Sequence, residues 1–172
     1  MTIEERCRPI SLLLSDVDGV LTDGQIVLDN QGIESKAFHV RDGLGIKLWQ
    51  KAGCQFGMLT LRSTQSLKVR AAELGIEILR QGTPDKLTAL KQIMAELKLS
   101  RERVCYLGDD LPDLPVLRYV GLGVAVPDAC GEVREAAHHT THLCGGRGAV
   151  REVIEMILKA QGRWTDVIQT YL

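Results

Sequence analysis

The sequence predicts an α/β protein, a parallel sheet covered by helices on both faces. Strand-length apolar runs recur along the chain at 10–14, 55–60, 76–79, 103–107 and 122–126. Other stretches carry helical periodicity: Leu87, Leu90, Met94 and Leu97 step at three and four residues, as do Val150, Val153, Ile154, Ile157 and Leu158. Strands alternating with helices argue for parallel pairing and burial on both faces. Chemistry-bearing residues collect at the ends of these runs, where open α/β sheets bind ligands.

Taken in order, the first run ends in Ser15-Asp16-Val17-Asp18-Gly19. Side chains alternate along a strand, so acids two apart within it would share a face and repel. At its C-terminal end they can serve a cation and a phosphate together. Residues 23–40 then break the alternation. Two strand-like stretches flank Asp29-Asn30-Gln31-Gly32, which marks a β-hairpin inserted after the acidic pair. A lone hairpin is marginal, so this one is expected to pack on something, such as another subunit. The run 55–60 closes on Thr60, followed by Arg62 and Ser63. After 76–79, Pro84 and Asp85 before Lys86 look like a helix start. The run 103–107 leads into Gly108-Asp109-Asp110-Leu111-Pro112-Asp113, and a last helix and tail occupy about 148–172.

At 172 residues the chain is the size of one domain, 1–172, long enough for a real core. Its 45% apolar and 25% charged content are those of an ordinary soluble protein. A net charge of -1 offers no basic surface for nucleic acid or membrane, and 4% aromatic residues disfavour base stacking. No stretch approaches the ~18 apolar residues of a membrane span. The charged N-terminus, with Glu4, Glu5, Arg6 and Arg8, does not read as a signal peptide. Cys7, Cys54, Cys105, Cys130 and Cys144 are odd in number and form no C-x-x-C pair, which fits reduced thiols. A cytoplasmic protein is expected.

Singly, the residues at the run ends have bland readings: a solvated Asp-Gly turn, Thr60 as a helix cap, Lys86 as a surface lysine, Asp109 as a turn residue. All of them in this order, each at a strand end, point instead to one site. The chemistry they suit is phosphoryl transfer through an aspartyl nucleophile. A phosphate monoester is dianionic, so an attacking carboxylate needs the charge masked. Mg²⁺ takes one or two carboxylates plus phosphate oxygens, and Asp16 with Asp109 can supply them. Lys86 and the Thr60 hydroxyl would hold the remaining phosphoryl oxygens. Asp18 would protonate the leaving alkoxide and then activate the hydrolytic water. His138, His139 and His142 lie close together, but no Cys or carboxylate completes a zinc spacing, and they read as a solvated loop. Gly43-Leu44-Gly45 and Gly121-Leu122-Gly123 lack the third glycine of a dinucleotide loop.

Over residues 10 to about 126 this arrangement resembles the haloacid dehalogenase superfamily, with Asp16 to Val20 as its first motif, Thr60 as its second, Lys86 as its third and Gly108-Asp109-Asp110 with Asp113 as its fourth. The resemblance implies a three-layer α/β/α Rossmann-like fold, and Mg²⁺ held by Asp16, the Asp18 backbone carbonyl and Asp109. Asp18 to Gly24, the hairpin, Phe38 to Gly43, Gly108 to Val116 and Gly145 to Glu152 further resemble the 3-deoxy-D-manno-octulosonate 8-phosphate phosphatase family, over nearly the whole chain. That family has no separate cap domain. Its members are homotetramers whose hairpins assemble into a central β-barrel and whose neighbouring subunits help close each active site.

The implied substrate is a phosphorylated sugar acid of lipopolysaccharide core biosynthesis, and its carboxylate calls for cations beyond Lys86. The resemblance places substrate contacts at Asp18, His39, Val40, Arg41, Asp42, Gly43, Lys47, Arg62, Arg70 and Lys86. Arg62 favours the eight-carbon acid, because phosphatases of nine-carbon sialic and deaminated sialic acids tend to carry Glu there. Two residues depart from the pattern. Lys47 stands where Arg is expected and keeps the charge without the bidentate fork. Leu61 stands where Gly is usual, and its Cβ limits backbone freedom near the phosphate. Arg147 reads either as reaching a neighbour's site or as a basic cap near the last helix. The competing readings are a nine-carbon sugar acid phosphatase and a non-catalytic assembly module of the kind fused to cytidylyltransferases. The complete set Asp16, Asp18, Thr60, Lys86 and Asp109 argues against the module.

Overall fold

Leu12, Leu13 and Leu14 are all fully buried, which requires a strand covered on both faces. The computed structural model describes residues 1–172, the side chain of Thr170 excepted. Its strands are β1 (Leu12–Ser15), β2 (Val27–Leu28), β3 (Glu34–Ser35), β4 (Gln55–Leu59), β5 (Ile78–Arg80), β6 (Val104–Gly108), β7 (Leu122–Ala125) and β8 (His139–Thr140). Its helices are α1 (Ile3–Cys7), α2 (Val40–Lys51), α3 (Gln65–Leu74), α4 (Lys86–Leu97), α5 (Leu114–Leu117), α6 (Gly131–Ala136), α7 (Ala149–Ala160) and α8 (Trp164–Ile168).

Six strands form one sheet in the order β5-β4-β1-β6-β7-β8, with every neighbouring pair parallel. Successive side chains of β1 go to opposite faces. Leu13 joins the core that α1, α2, α3, α7 and α8 cover, while Leu12 and Leu14 join the core under α4, α5 and α6. This is the three-layer α/β/α arrangement that the sequence predicts. The chain runs outward from β1 through β4 to β5, then returns to β6 and continues the other way. Such a switch opens a crevice at the strands' C-terminal ends, and here it falls between β1 and β6.

Helix ends follow local chemistry. Thr64 caps α3 by accepting from the Leu67 N–H, and Asp85 caps α4 by accepting from the Thr88 N–H. The insertion between β1 and α2 is a β-hairpin, as expected, with arms of only two paired residues each. The apolar side chains Ile26, Val27, Leu28 and Ile33 are each more than half exposed on it.

The N-terminal charges belong to α1, which Thr2 and Glu5 start with a capping box. One reading needs correction: the histidine segment is not wholly a solvated loop. His139 lies in the edge strand β8, and the His138 Nδ1 accepts from the Gly123 N–H at 2.9 Å. A two-residue polar strand leaves no alternating pattern to detect.

Candidate active site

Glycine shapes the loop after β1. Gly19 has φ of +90°, and a Cβ there would lie 2.0 Å from the Asp109 Oδ2. Only glycine lets the carboxylate at the end of β6 approach the first acidic loop this closely. The turn before α7 closes the same loop from behind. The Gly146 N–H donates to the Val20 carbonyl at 2.9 Å, and a Cβ on Gly145 would lie 1.8 Å from the Gly19 carbonyl oxygen.

The order β4-β1-β6 sets Asp16 between Thr60 and Asp109. Asp16 is buried; its Oδ1 accepts from the Val17 N–H at 2.6 Å and its Oδ2 faces the Lys86 Nζ at 2.9 Å. Lys86, at the start of α4, is 1% exposed and also pairs with the Asp113 Oδ1 at 2.6 Å. Asp113 has no exposure and accepts four hydrogen bonds. Its Oδ1 takes Lys86 and the Tyr106 hydroxyl, and its Oδ2 takes the N–H groups of Asp109 and Asp110. The sequence places Asp113 in the fourth motif but assigns it no role; its place three residues after Asp110, where a capping box closes, is the signal available there. Tyr106 gave none, since an aromatic residue in a buried strand reads as core.

Burial and the Asp113 charge push the Asp16 carboxyl up to about 6, against the pull of Lys86. Burial and the charges of Asp16 and Asp113 push Asp109 up to about 8. For Lys86, burial acts downward, but its two carboxylate partners more than offset it and leave the ammonium above its usual range.

These residues fit a divalent cation. Carboxylate oxygens of Asp16, Asp109 and Asp113 lie within 4.8 Å of one another, and the buried Asp109 Oδ1 has no hydrogen-bond partner. Three carboxylates against one ammonium leave an excess of negative charge matched by a dication. Asp113 takes two donors on each oxygen, whereas Asp16 takes one on each and the Asp109 Oδ1 none, so Asp16 and Asp109 keep lone pairs to ligate.

Asp16, Asp18, Thr60, Leu61, Arg62 and Asp109 line one cavity of about 240 Å³. The Thr60 Oγ1 accepts from the Arg62 N–H at 3.2 Å, so its own O–H remains to donate. Leu61 brings no left-handed strain, since among the described residues Lys98 is the only non-glycine with positive φ. Its side chain sits at the rim of the cavity, 43% exposed. The hairpin reaches the same place: Lys36 pairs with Asp18 and with Glu34, and Glu34 pairs with Arg62.

The other sequence-predicted contacts lie outside this cavity within one chain. His39 caps α2, its Nδ1 accepting from the Arg41 N–H at 3.3 Å. Val40 and Arg41 are exposed, and Arg41 borders a separate cavity beside His139 and Arg151. Asp42 is buried; it accepts from the Arg151 N–H at 2.8 Å in α7, and burial raises its carboxyl. Gly43 gives room to Arg70, whose guanidinium stacks on Phe38 at 5.6 Å and pairs with Glu73 at 2.8 Å. Lys47 is exposed beside Gly75. Arg147 is exposed too, 3.9 Å from Asp23.

Residues 67–151 match the haloacid dehalogenase-like hydrolase family. The chain is 48% identical over 159 residues to the 3-deoxy-D-manno-octulosonate 8-phosphate phosphatase of Yersinia pestis, covering 92% of this chain and 85% of that protein. The crystal structure of the enzyme of that name from Moraxella catarrhalis, in complex with magnesium ion, phosphate ion and a KDO molecule, superposes with a TM-score of 0.97 at 43% identity, over 99% of this chain and 98% of that one. The cobalt-bound deoxy-D-mannose-octulosonate 8-phosphate phosphatase of Haemophilus influenzae gives 0.90 at 42% identity, over 93% and 94% of the two chains.

Proposed function

Because the chain belongs to the 3-deoxy-D-manno-octulosonate 8-phosphate phosphatase family, within the haloacid dehalogenase-like hydrolases, we propose that it hydrolyses that phosphorylated sugar acid through an aspartyl-phosphate on Asp16. It is a phosphoric monoester hydrolase. The observation that carries the reading is the buried Asp16–Lys86 pair beside the unpartnered Asp109 Oδ1, at a cavity walled by Thr60 and Arg62.

Mg²⁺ is the cofactor this donor set takes, as in the Moraxella relative. Asp16, Asp109 and the Asp18 backbone carbonyl would hold it, and when bound it masks the charge of carboxylate and phosphoryl oxygens. Asp16 attacks phosphorus, the bond to the ester oxygen breaks, and Asp18 gives that oxygen its proton. Asp18 then takes a proton from water, which attacks the phosphorus, frees Asp16 and releases phosphate. The Thr60 hydroxyl donates to a phosphoryl oxygen, and Lys86 offsets the charge around the nucleophile.

Arg62, at the cavity wall, supports recognition of the substrate carboxylate. The exposed Val40, Arg41 and Lys47, with His39 and Arg70, suit a substrate bound in a neighbouring subunit of a homotetramer, while the buried Asp42 and Gly43 hold that turn in place. The exposed apolar side chains of the hairpin support that assembly. No helix is long and apolar enough to cross a membrane, which accords with a cytoplasmic enzyme of lipopolysaccharide core biosynthesis.

The test is phosphate release from eight-carbon and nine-carbon sugar acid phosphates, with and without chelator, alongside Asp16→Asn. The eight-carbon ester should be preferred, and both chelator and the substitution should abolish turnover. Preference for the nine-carbon ester would overturn the substrate, and an active Asp16→Asn would overturn the nucleophile. A tetramer inactive on every sugar phosphate would make the chain an assembly module.

A further inference from the structure

Lys36 is the most unusual side chain that the mechanism above leaves unused. It belongs to a hairpin that is otherwise largely exposed, yet its side chain is 1% exposed. Burying an ammonium is unfavourable unless carboxylates compensate it, and two do. It hydrogen-bonds the Asp18 Oδ1 and pairs with the Glu34 Oε1 at 2.7 Å. The other Glu34 oxygen accepts from Arg62. The other Asp18 oxygen, Oδ2, is buried and has no partner.

We propose that Lys36 is a positioning residue for proton transfer by Asp18, which it holds in one rotamer through Oδ1 so that Oδ2 carries the proton to the leaving oxygen. Glu34 fixes Lys36 in turn and ties it to Arg62. The hairpin thus links the group expected to meet the substrate carboxylate with the group that protonates the leaving alkoxide. The assignment rests on the phosphatase reading of the site but not on the identity of the sugar acid. In the first step the bond between phosphorus and the ester oxygen breaks as the Asp16–phosphorus bond forms, and the Asp18 proton ends on the released alcohol.

The leaving group discriminates this role from a structural one. An alkoxide must be protonated as it leaves, whereas p-nitrophenolate leaves without help. Steady-state kcat/KM, which reports the steps up to departure of the leaving group, is therefore measured on the eight-carbon ester, a simple sugar phosphate and p-nitrophenyl phosphate. Well-placed proton transfer contributes about 10²–10⁴ in rate. Lys36→Met should then lower kcat/KM on both alkyl esters at least about tenfold and change the aryl ester by less than about threefold. Lys36→Arg, which keeps the charge, should fall between Lys36→Met and the native enzyme on the alkyl esters. Equal losses on alkyl and aryl esters, or no loss on either, would overturn the role. If thermal unfolding shows that Lys36→Met is not folded, Lys36→Arg decides alone, and an unchanged alkyl-to-aryl ratio refutes the assignment. A native protein that cleaves no ester would remove the phosphatase reading and this role together, whereas an active enzyme with an unchanged ratio removes only the role of Lys36.

Discussion

Asp113→Asn tests whether this fully buried acid is what holds the site together. Asp113 accepts four hydrogen bonds, two on each oxygen. An amide offers one acceptor oxygen and one donor nitrogen. Turned one way, its NH₂ faces the N–H groups of Asp109 and Asp110; turned the other, it faces the Lys86 ammonium and the Tyr106 hydroxyl. Each hydrogen bond to a charged group is worth about 1.5–3 kcal/mol. Lys86 would also keep only Asp16 as a carboxylate partner, and breaking a buried pair costs about 3–5 kcal/mol. Removing the Asp113 charge relieves repulsion on Asp16 and Asp109, whose carboxyls it pushes up, so the lower end of that range, about 3 kcal/mol, is expected. In urea unfolding of the metal-free protein, an m-value of about 2 kcal/mol/M makes this a fall in midpoint of about 1.5 M with the slope unchanged. A shift below about 0.5 M, roughly 1 kcal/mol, would show that the four contacts are incidental.

Gly19→Ala places a Cβ 2.0 Å from the Asp109 Oδ2 at φ of +90°; Asp109 must move, and Mg²⁺ affinity in a calorimetric titration should fall at least about tenfold. Undiminished affinity would mean that Asp109 does not ligate. Since Asp16 and Asp109 are raised to about 6 and about 8 in the metal-free protein, Mg²⁺ must displace their protons. Its apparent affinity should rise up to about tenfold per pH unit between 6 and 8, more steeply below 6, and level off above 8. The effect on stability has the opposite sign. Both folded-state values lie above the unfolded carboxylate value, so between pH 4 and 8 the folded protein holds more protons than the unfolded one and gains from these two groups as pH falls. In chelator the melting temperature should drop between pH 6 and pH 8.5, and a rise over that interval would count against the acidic cluster.

How much of this was legible depends on what each residue does to its own local pattern. The strands β1, β4, β6 and β7 are legible because burial on both faces leaves unbroken apolar runs, and the run at 76–79 starts two residues before β5 because Ile76 is buried before pairing begins. Asp16, Asp18, Thr60 and Asp109 were readable because strand ends are marked by the runs that precede them. Pro84 and Asp85, which start its helix, mark Lys86. Nothing marks Asp113 and Tyr106 as a working pair, because their interaction joins a helical turn to the interior of β6, a contact no spacing announces. A lysine in a polar hairpin is ordinary in sequence, and Lys36 stands out only because its side chain is buried.

The topology explains why the proposed catalytic residues meet within one chain while the predicted contacts at residues 39–43 lie outside their cavity. Parallel neighbours bring every strand's C-terminal end to one edge of the sheet, so placing β1 between β4 and β6 is enough to assemble Asp16, the Thr60 hydroxyl and Asp109. The predicted sugar-acid contacts at residues 39–43 have no such geometry to rely on. They occupy the first turn of α2, where Asp42 is committed to the Arg151 N–H in α7 and Gly43 to making room for Arg70. Those bonds hold the patch rigid outside the cavity. Within the chain, the hairpin is what reaches the reacting side, through Lys36 on Asp18 and Glu34 on Arg62. A hairpin with paired arms of two residues and exposed apolar side chains is poorly held by its own contacts. Whatever packs against its outer surface therefore also sets how firmly Lys36 holds Asp18, and in the proposed tetramer, with Asp18 as the proposed proton donor, that would link assembly to catalysis.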